Sequence, residues 1–410
     1  MDTQFYQWLI VKIILFGLVI QIVVVQLYEW LKKYWKNRGR SKNIQKYAEC
    51  LKEFNNNFHN YIVLGQNENL KPAFFDVERT NITFVIPFPE NKVDELKRRN
   101  FKPVVINGEE MSEVMKKNQF SDRLLEHLYE LIVQNGVKEE EKEKFLQEIA
   151  ESTADKFILD IQKGKVRFNK YLYGVDDCRA KGQQCTISLY ESDYFTFKTI
   201  TNVYNELKKR NNGTVNLGLH PAPFLNSIGV GGFVIVNRGE GDELIWGFRG
   251  TNCQSGGYWH FSFDETFTHD DAEKDRAADL IRCIKRALTE ELGIHPEEQE
   301  KCVADIQLLD CGIIRTEGND NRYEFEVCSF VRICLSEKYA IRDFIQNYRF
   351  AKDAELETRC LKLVKIADLD QFMKENENNM SPEAKVLALK IKTLSDLNLL
   401  ESDDESYRRM

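Results

Sequence analysis

The apolar segment from Trp8 to Trp30 places the strongest constraint on what this chain can fold into. It reads WLIVKIILFGLVIQIVVVQLYEW. Four polar or charged residues interrupt it, namely Lys12, Gln21, Gln26 and Glu29. At ~1.5 Å per residue, about 20 helical residues cross a bilayer core, and aromatic residues at both ends suit its interfaces. The segment therefore predicts one transmembrane helix.

Two other interpretations of this segment exist, a signal peptide and a buried soluble helix. A cleaved signal peptide has a shorter apolar run that ends in small residues, whereas this run ends in Tyr28 and Trp30. Residues 32–42 then carry six basic side chains and no acidic one. Because basic flanks stay in the cytoplasm, we expect a single pass with the N-terminus outside and the bulk of the chain cytoplasmic.

Length and composition point to several packed domains. The chain has 410 residues, of which 42% are hydrophobic, and a formal net charge of −8. This length exceeds one ordinary core, and this charge gives no general bias toward nucleic acid, so no nucleic-acid partner is expected. The ten cysteines form no Cys-x-x-Cys pair and no finger-like pattern with histidine. They indicate reduced, mostly buried thiols in a cytosol, with a disulfide framework as the alternative.

Residues 43–215 show a mixed pattern of helices and strands. FSDRLLEHLYELIVQNG begins at a capping Ser121 and ends at Gly136, which is typical of a helix. A second helix ends at Gly164, and a third begins at Ser192 or Asp193. We find no motif with a chemical role here. The region is either an independent domain or an elaboration of the next one.

From about residue 221 the order of elements becomes more specific. SIGVGGFVIVN and ELIWGFRG predict two strands, and GGYWHFSFDET follows them. DRAADLIRCIKRALTEELGI predicts one amphipathic helix that ends at Gly293. Two more strands and a final helix, SPEAKVLALKIKTL, complete the pattern.

These residues resemble the Nudix superfamily, whose signature is Gly-x5-Glu-x7-Arg-Glu-apolar-x-Glu-Glu-x-Gly-apolar. The matching positions are Arg286, Leu288, Glu290, Glu291, Gly293 and Ile294. Arg249 and Trp259 match the arginine and tryptophan that usually precede this signature. The resemblance covers roughly residues 221–395 and implies a C-terminal Nudix-like α/β/α sandwich.

The resemblance also implies a metal site, and here the signature is incomplete. Carboxylates on one helical face bind Mg²⁺, so Glu290 and Glu291 are the candidate metal ligands and the catalytic candidates if the site is active. Arg286 is placed to brace Glu290. Three signature positions instead hold Ala272, Ala278 and Ala287. Carboxylates that could replace the missing one lie nearby, namely Asp264, Glu265 and Glu273.

The three signature positions that hold alanine argue against hydrolysis and for binding. The glutamates then have a second interpretation as an ordinary salt-bridged helix end. A Nudix pocket that cannot cleave can still bind a nucleotide phosphate, and the candidate ligand-binding residues are Arg249, Trp259 and Arg286. His260 and Phe261 lie beside them in the sequence.

An N-terminal transmembrane helix followed by a degenerate Nudix domain resembles the transmembrane-NUDIX effectors of CBASS antiphage systems. The resemblance implies localisation to the bacterial inner membrane and a functional link to a cGAS/DncV-like nucleotidyltransferase. It implies that a cyclic oligonucleotide binds, that a homo-oligomer assembles, and that the lipid bilayer is disrupted, which kills the infected cell. The alternatives are a membrane-tethered Nudix hydrolase of a nucleoside diphosphate derivative and an anchored scaffold.

The expected fold class is α+β, with a single N-terminal transmembrane helix, a mixed α/β middle region and the Nudix-like sandwich. The expected segments are a transmembrane anchor (1–31), a basic linker (32–42), the middle region (43–215), the Nudix-like domain (216–398) and a polar tail (399–410).

Overall fold

One mixed β-sheet of eleven strands organises the part of the chain that the structure describes. The structure is a computed structural model. It describes residues 25–28, 30, 34, 38–55, 61–71, 74–98, 105–106, 109–110, 121–163, 169, 171–182, 184–217, 223–237, 241–250, 256–271, 280–315, 323–334, 341–351 and 358–400. Everything below refers to these residues.

The strands and helices alternate irregularly along the chain. The strands are β1 (Tyr61–Gln66), β2 (Phe75–Thr83), β3 (Val105–Ile106), β4 (Glu109–Glu110), β5 (Tyr171–Lys181), β6 (Gln184–Asp193), β7 (Phe224–Asn237), β8 (Asp242–Arg249), β9 (Trp259–His260), β10 (Phe263–Thr266), β11 (Val303–Arg315), β12 (Tyr323–Cys334) and β13 (Thr358–Lys365). The helices are α1 (Glu90–Arg98), α2 (Asp122–Gln134), α3 (Lys142–Gln162), α4 (Tyr194–Arg210), α5 (Leu280–Glu290), α6 (Pro296–Cys302), α7 (Ile341–Tyr348), α8 (Leu369–Glu375) and α9 (Pro382–Asp396). Residues 38–55 are also helical.

Strand β7 is the centre of the sheet. The main order of strands is β1-β11-β12-β7-β5-β6-β2, and β3 pairs with β4 outside it. β7 runs parallel to β12 along one edge. Three strands pair with it antiparallel at successive points, β5 near its start, β10 in the middle and β8 at its end. β7 therefore joins the strands of the middle region to those of the C-terminal half of the chain.

Alternation along β7 divides the apolar residues between two cores. Val234 and Val236 belong to the core that also holds α2, α3, α4 and α5. Phe233 and Ile235 belong to the second core, with α8 and α9. Successive side chains of a strand point to opposite faces, so the two cores lie on the two sides of the sheet.

The fold class predicted from the sequence is wrong. The described residues form a mixed α/β structure around one large sheet, and no helix among them has both the length and the apolar character needed to cross a membrane. Most of the segment Trp8–Trp30 lies outside the described residues. The helix over residues 38–55 carries charges throughout and packs Tyr47 and Leu51 into the second core, at 1% exposure each.

The middle region shares the large sheet, because β5 and β6 connect β2 to β7. Two of its helices begin where the sequence predicts. Ser121 precedes α2, although its side chain accepts no capping hydrogen bond, and Asp193 caps α4 by accepting a hydrogen bond from the Thr196 N–H at 2.7 Å. The domain boundaries and the localisation stay predictions.

Candidate functional site

Helix α5 positions the acidic end of the Nudix-like signature. The helix ends at Glu290, and the turn that follows closes at Gly293, whose φ is +70° and whose N–H donates to the Thr289 carbonyl at 3.2 Å. A Cβ at this position would lie 2.3 Å from the Asn347 carbonyl oxygen, so glycine is required both for its φ and for its size. This ending places Glu290 and Glu291 in the last turn, against β10.

Arg286 is held by several acceptors at once. Its Nε and Nη2 donate to the two carboxylate oxygens of Asp271, both at 2.7 Å, and Nη2 also donates to the Thr266 carbonyl at 2.8 Å. Nη1 lies 3.0 Å from Glu265 and 3.4 Å from Glu290. Burial lowers the pKa of Arg286, but the bonds to Asp271 and the charge of Glu265 outweigh it and raise the pKa. The guanidinium thus braces the site, and its predicted role in ligand binding stays a prediction.

Arg249 and Glu291 meet at Asp264. Arg249 ends β8 with 6% exposure, and its Nη1 lies 3.4 Å from Asp264 Oδ2. The backbone N–H of Asp264 donates to Glu291 Oε1 at 2.9 Å. Asp264 on β10 therefore connects the end of β8 to the end of α5.

Trp259 and His260 on β9 attach the C-terminal helices to the sheet. Trp259 Nε1 donates to Asn376 Oδ1 at 3.0 Å, and its ring lies 5.5 Å from that of Phe372 on α8. His260 Nε2 and Glu383 Oε1 on α9 are 3.0 Å apart and both side chains are buried. Trp259, a predicted ligand-binding residue, and its neighbour His260 thus have structural partners in the protein.

Glu326 is a buried acidic residue that the sequence analysis missed. It lies on β12 opposite Gly229 of β7. A Cβ at Gly229 or at Gly231 would come within 2.5 Å of a Glu326 oxygen, so the two glycines make room for the carboxyl group. Burial raises its pKa well above the usual range, and the nearby charge of Asp264 raises it further. The glycine-rich start of β7 was the available signal.

The acidic residues do not converge as metal ligands. Carboxylates suit Mg²⁺ in kind. Among the described residues, however, the possible metal ligands that cluster within 4.8 Å of one another are three cysteines and include no carboxylate. Ala287 is fully buried in the first core. Glu273, Ala272 and Ala278 lie outside the described residues. The metal-ligand roles of Glu290 and Glu291 stay predictions.

A second concave surface lies between α3 and α4, here called the α3–α4 groove. It is a cavity of about 680 Å³. Four basic residues line it, Lys156, Lys208, Lys209 and Arg210, together with the amides of Asn202 and Asn205. Two acidic residues, Glu148 and Glu206, also line it, so the lining is net positive. No sequence motif predicts this surface.

Comparison with solved structures identifies Nudix proteins as similar to part of this chain. The NUDIX domain of Shewanella oneidensis NrtR, solved with ADP ribose, is 14% identical over 42% of this chain and 88% of its own length, with a TM-score of 0.27. A Listeria monocytogenes NUDIX hydrolase is 15% identical over 43% of this chain and 98% of its own, with a TM-score of 0.25. A mutT/nudix family protein from Listeria innocua is 12% identical over 43% and 98%, with a TM-score of 0.27.

These similarities assign neither a substrate nor a ligand to this chain. No protein-family model matches the sequence, and no curated protein matches it.

Proposed function

We propose that this chain is a nucleotide sensor with a non-hydrolytic Nudix-like part, and that its ligand is a cyclic oligonucleotide of the kind made in CBASS antiphage defence. The observation that carries the proposal is the α3–α4 groove. Its volume, about 680 Å³, falls within the range of ~300–1,000 Å³ that is usual for small-molecule sites. Its basic lining suits phosphate groups.

The Nudix-like signature supports the non-hydrolytic half of the proposal. Arg286 is engaged by Asp271, Glu265 and Glu290. Asp264 and Glu291 add two more carboxyl groups beside it. A phosphate would be repelled there unless a cation intervened, because unscreened like charges in a low-dielectric interior interact strongly. The phosphates therefore bind elsewhere.

The groove offers the chemistry that a nucleotide needs. Lys156 and Lys209 are exposed on facing helices and carry ammonium groups suited to phosphate oxygens. Lys209 Nζ lies 3.3 Å from Glu206 Oε2, an exposed pair of low strength that a phosphate can replace. Asn202 and Asn205 carry amides that both donate and accept, as base edges require. The Arg210 guanidinium lies 4.8 Å from the ring centroid of the buried Phe145. The exposed guanidinium is a flat cation on which a base can stack.

The link to a cGAS/DncV-like nucleotidyltransferase and to assembly follows from the same proposal. A ligand promotes assembly only if it binds the assembled state more tightly than the free chain. A shift from 1:99 to 99:1 requires ~5.5 kcal/mol of differential affinity. A cyclic oligonucleotide presents two or more phosphates, so one molecule can contact the grooves of two copies.

Titration calorimetry of the full-length chain against a panel of cyclic di- and trinucleotides tests the proposal. We expect one member to bind, and we expect the charge reversals Lys156→Glu and Lys209→Glu together to weaken its binding by at least tenfold. Lys374→Glu, an exposed reversal on α8, is the matched control and should bind normally. Unchanged binding in the double reversal, with loss in Arg249→Gln, would move the site to the Nudix-like part. Failure of every cyclic nucleotide to bind would refute the sensor itself.

A Mg²⁺-dependent hydrolase of a nucleoside diphosphate derivative is the second candidate. One observation favours it: Glu326 Oε1 and Glu383 Oε2 are buried without a hydrogen-bond partner among the described residues. Buried carboxyl oxygens without partners are the groups that a cation would satisfy. Turnover of such substrates with Mg²⁺ that disappears in Glu291→Gln and Glu326→Gln would establish it, and no turnover is the result we expect.

A further inference from the structure

Three cysteine thiols from distant parts of the sequence meet at one point in the sheet. Cys178 lies on β5, Cys185 on β6 and Cys311 on β11. The Sγ–Sγ distances are 3.7 Å between Cys178 and Cys185, 3.7 Å between Cys178 and Cys311, and 3.9 Å between Cys185 and Cys311. Cys185 and Cys311 are buried, whereas Cys178 is partly exposed.

The register of the strands and one glycine bring the thiols together. Cys185 pairs with Ala180, two residues from Cys178, so both cysteines point to the same face of the β5–β6 hairpin. β1 lies against β5 and pairs Gly65 with Cys311. A Cβ at Gly65 would lie 2.4 Å from Cys185 Sγ and 3.0 Å from Cys311 Sγ. The absence of a side chain at Gly65 therefore gives the sulfur atoms their space.

We propose that Cys178, Cys185 and Cys311 form a three-thiolate zinc site. Zinc binds thiolates at ~2.3 Å in a tetrahedron, which places neighbouring sulfur atoms about 3.8 Å apart. The three measured distances, 3.7, 3.7 and 3.9 Å, have this spacing. A disulfide requires ~2.05 Å and would use two of the thiols.

Solvent can approach the three sulfur atoms from the side of Cys178, the partly exposed member. Among the described residues, no fourth His, Cys, Asp or Glu ligand atom joins the group. A water molecule or an external ligand thus completes the tetrahedron, as in zinc sites with three protein ligands. Each thiol that binds the ion releases its proton to solvent, so binding weakens as the pH falls.

The site would connect two parts of the chain. Cys178 and Cys185 belong to the β5–β6 hairpin, and Cys311 lies 126 residues after Cys185. An ion bound by all three thiols stabilises the folded state, because the unfolded chain does not hold them together. The zinc ion would therefore hold β11 and β1 against the hairpin.

Metal analysis of the full-length chain, purified under reducing conditions and equilibrated with Zn²⁺, tests the site. We expect one zinc ion per chain, a rise in Tm that a chelator reverses, and thiolate-to-metal charge-transfer absorption after Co²⁺ substitution. Cys178→Ala, at the partly exposed position, should lower zinc affinity by at least tenfold, and Cys311→Ala should abolish binding. Cys302→Ala removes a buried thiol on α6 and is the matched control, with wild-type stoichiometry expected.

Gly65→Ala tests whether the arrangement of the thiols, and not only their presence, is needed for zinc binding. The variant keeps all three cysteines but fills the space beside the sulfur atoms of two of them. We expect it to weaken zinc binding. Zinc stoichiometry and affinity unchanged in folded Cys178→Ala would overturn the proposal. So would a wild-type chain that binds Cu⁺ but no Zn²⁺, or a Cys178–Cys185 disulfide found by mass spectrometry in protein kept under reducing conditions.

Discussion

Replacing Ala287 by the glutamate of the Nudix signature should destabilise the protein without creating an enzyme. Ala287 has 0% exposure on α5 and packs in the first core with Cys283, Ile284 and Leu288. A glutamate side chain there enters an apolar, close-packed environment. We expect Ala287→Glu to lose most of the folding free energy and to show no Mg²⁺-dependent hydrolysis.

The free energy of unfolding lost in Ala287→Glu has two parts. Overpacking a well-filled core costs about 1–3 kcal/mol. A glutamate has an ordinary pKa of ~4.3, so keeping it neutral in the core at pH 7 costs about 3.7 kcal/mol, at ~1.36 kcal/mol per pKa unit. The sum, about 5–7 kcal/mol, is comparable with the ~5–15 kcal/mol that stabilises a typical domain.

Urea unfolding followed by circular dichroism, at pH 5 and pH 7.5, measures both parts. Ala287→Gln has nearly the same shape and no charge, so it reports the cost of packing and of burying a neutral polar group, without the cost of the charge. The free energies of unfolding of the Glu and Gln variants should differ by about 1 kcal/mol at pH 5 and by about 4.4 kcal/mol at pH 7.5, as linkage requires. Equal stability of both variants at both pH values, or hydrolysis gained by Ala287→Glu, would refute the reasoning, because either shows that position 287 opens onto the site.

Three further predictions concern buried charges, each measured by urea unfolding. Lys390 and Asp310 form an ion pair with 1% side-chain exposure each, so Lys390→Met should cost about 3–5 kcal/mol, and adding Asp310→Leu should restore most of it. Burial raises the pKa of Asp193 to about 6. The folded state then binds the proton more tightly than the unfolded state, so stability falls by up to about 3 kcal/mol as the pH rises from ~4 past 6. Asp193→Asn keeps a good helix cap and should remove this fall. Arg286→Lys loses the two-bond contact with the fully buried Asp271 and should cost ~1–3 kcal/mol.

Each of these three predictions has its own contradicting result. A loss below ~1 kcal/mol in Lys390→Met would mean that the pair is hydrated. An unchanged pH profile in Asp193→Asn would assign the fall to other buried acids, such as Asp305, whose pKa burial also raises to about 6. If Arg286→Lys were as stable as the wild-type protein, the single positive charge of a lysine would be enough to stabilise the buried Asp271 carboxylate.

Local signals in the sequence predicted the helices well. Asp193 caps α4 and Gly293 ends α5, because capping depends on residues only a few positions apart. The pair of Arg286 and Glu290 is equally local, at i,i+4.

Contacts set by strand pairing could not be predicted in this way. Asp271 lies 15 residues before Arg286, in a short turn that the signature does not cover. Glu326 reaches the site through the parallel register of β12 and β7. The thiols of Cys178 and Cys311 are 133 residues apart and meet because the strands do. A shift of one residue in any of these registers would turn the side chains to the other face.

The pairing of β1 with β11 has a consequence for how the protein is made. Tyr61 on β1 bonds Asp310 on β11, 249 residues later in the chain. At ~5–20 residues per second, a ribosome needs about 12–50 s to synthesise that interval. During this time β1, with the sequence YIVLGQ, has no partner strand from β11. Such an unpaired apolar strand can template aggregation, so the nascent chain should depend on chaperones that bind extended apolar segments until β11 leaves the ribosome.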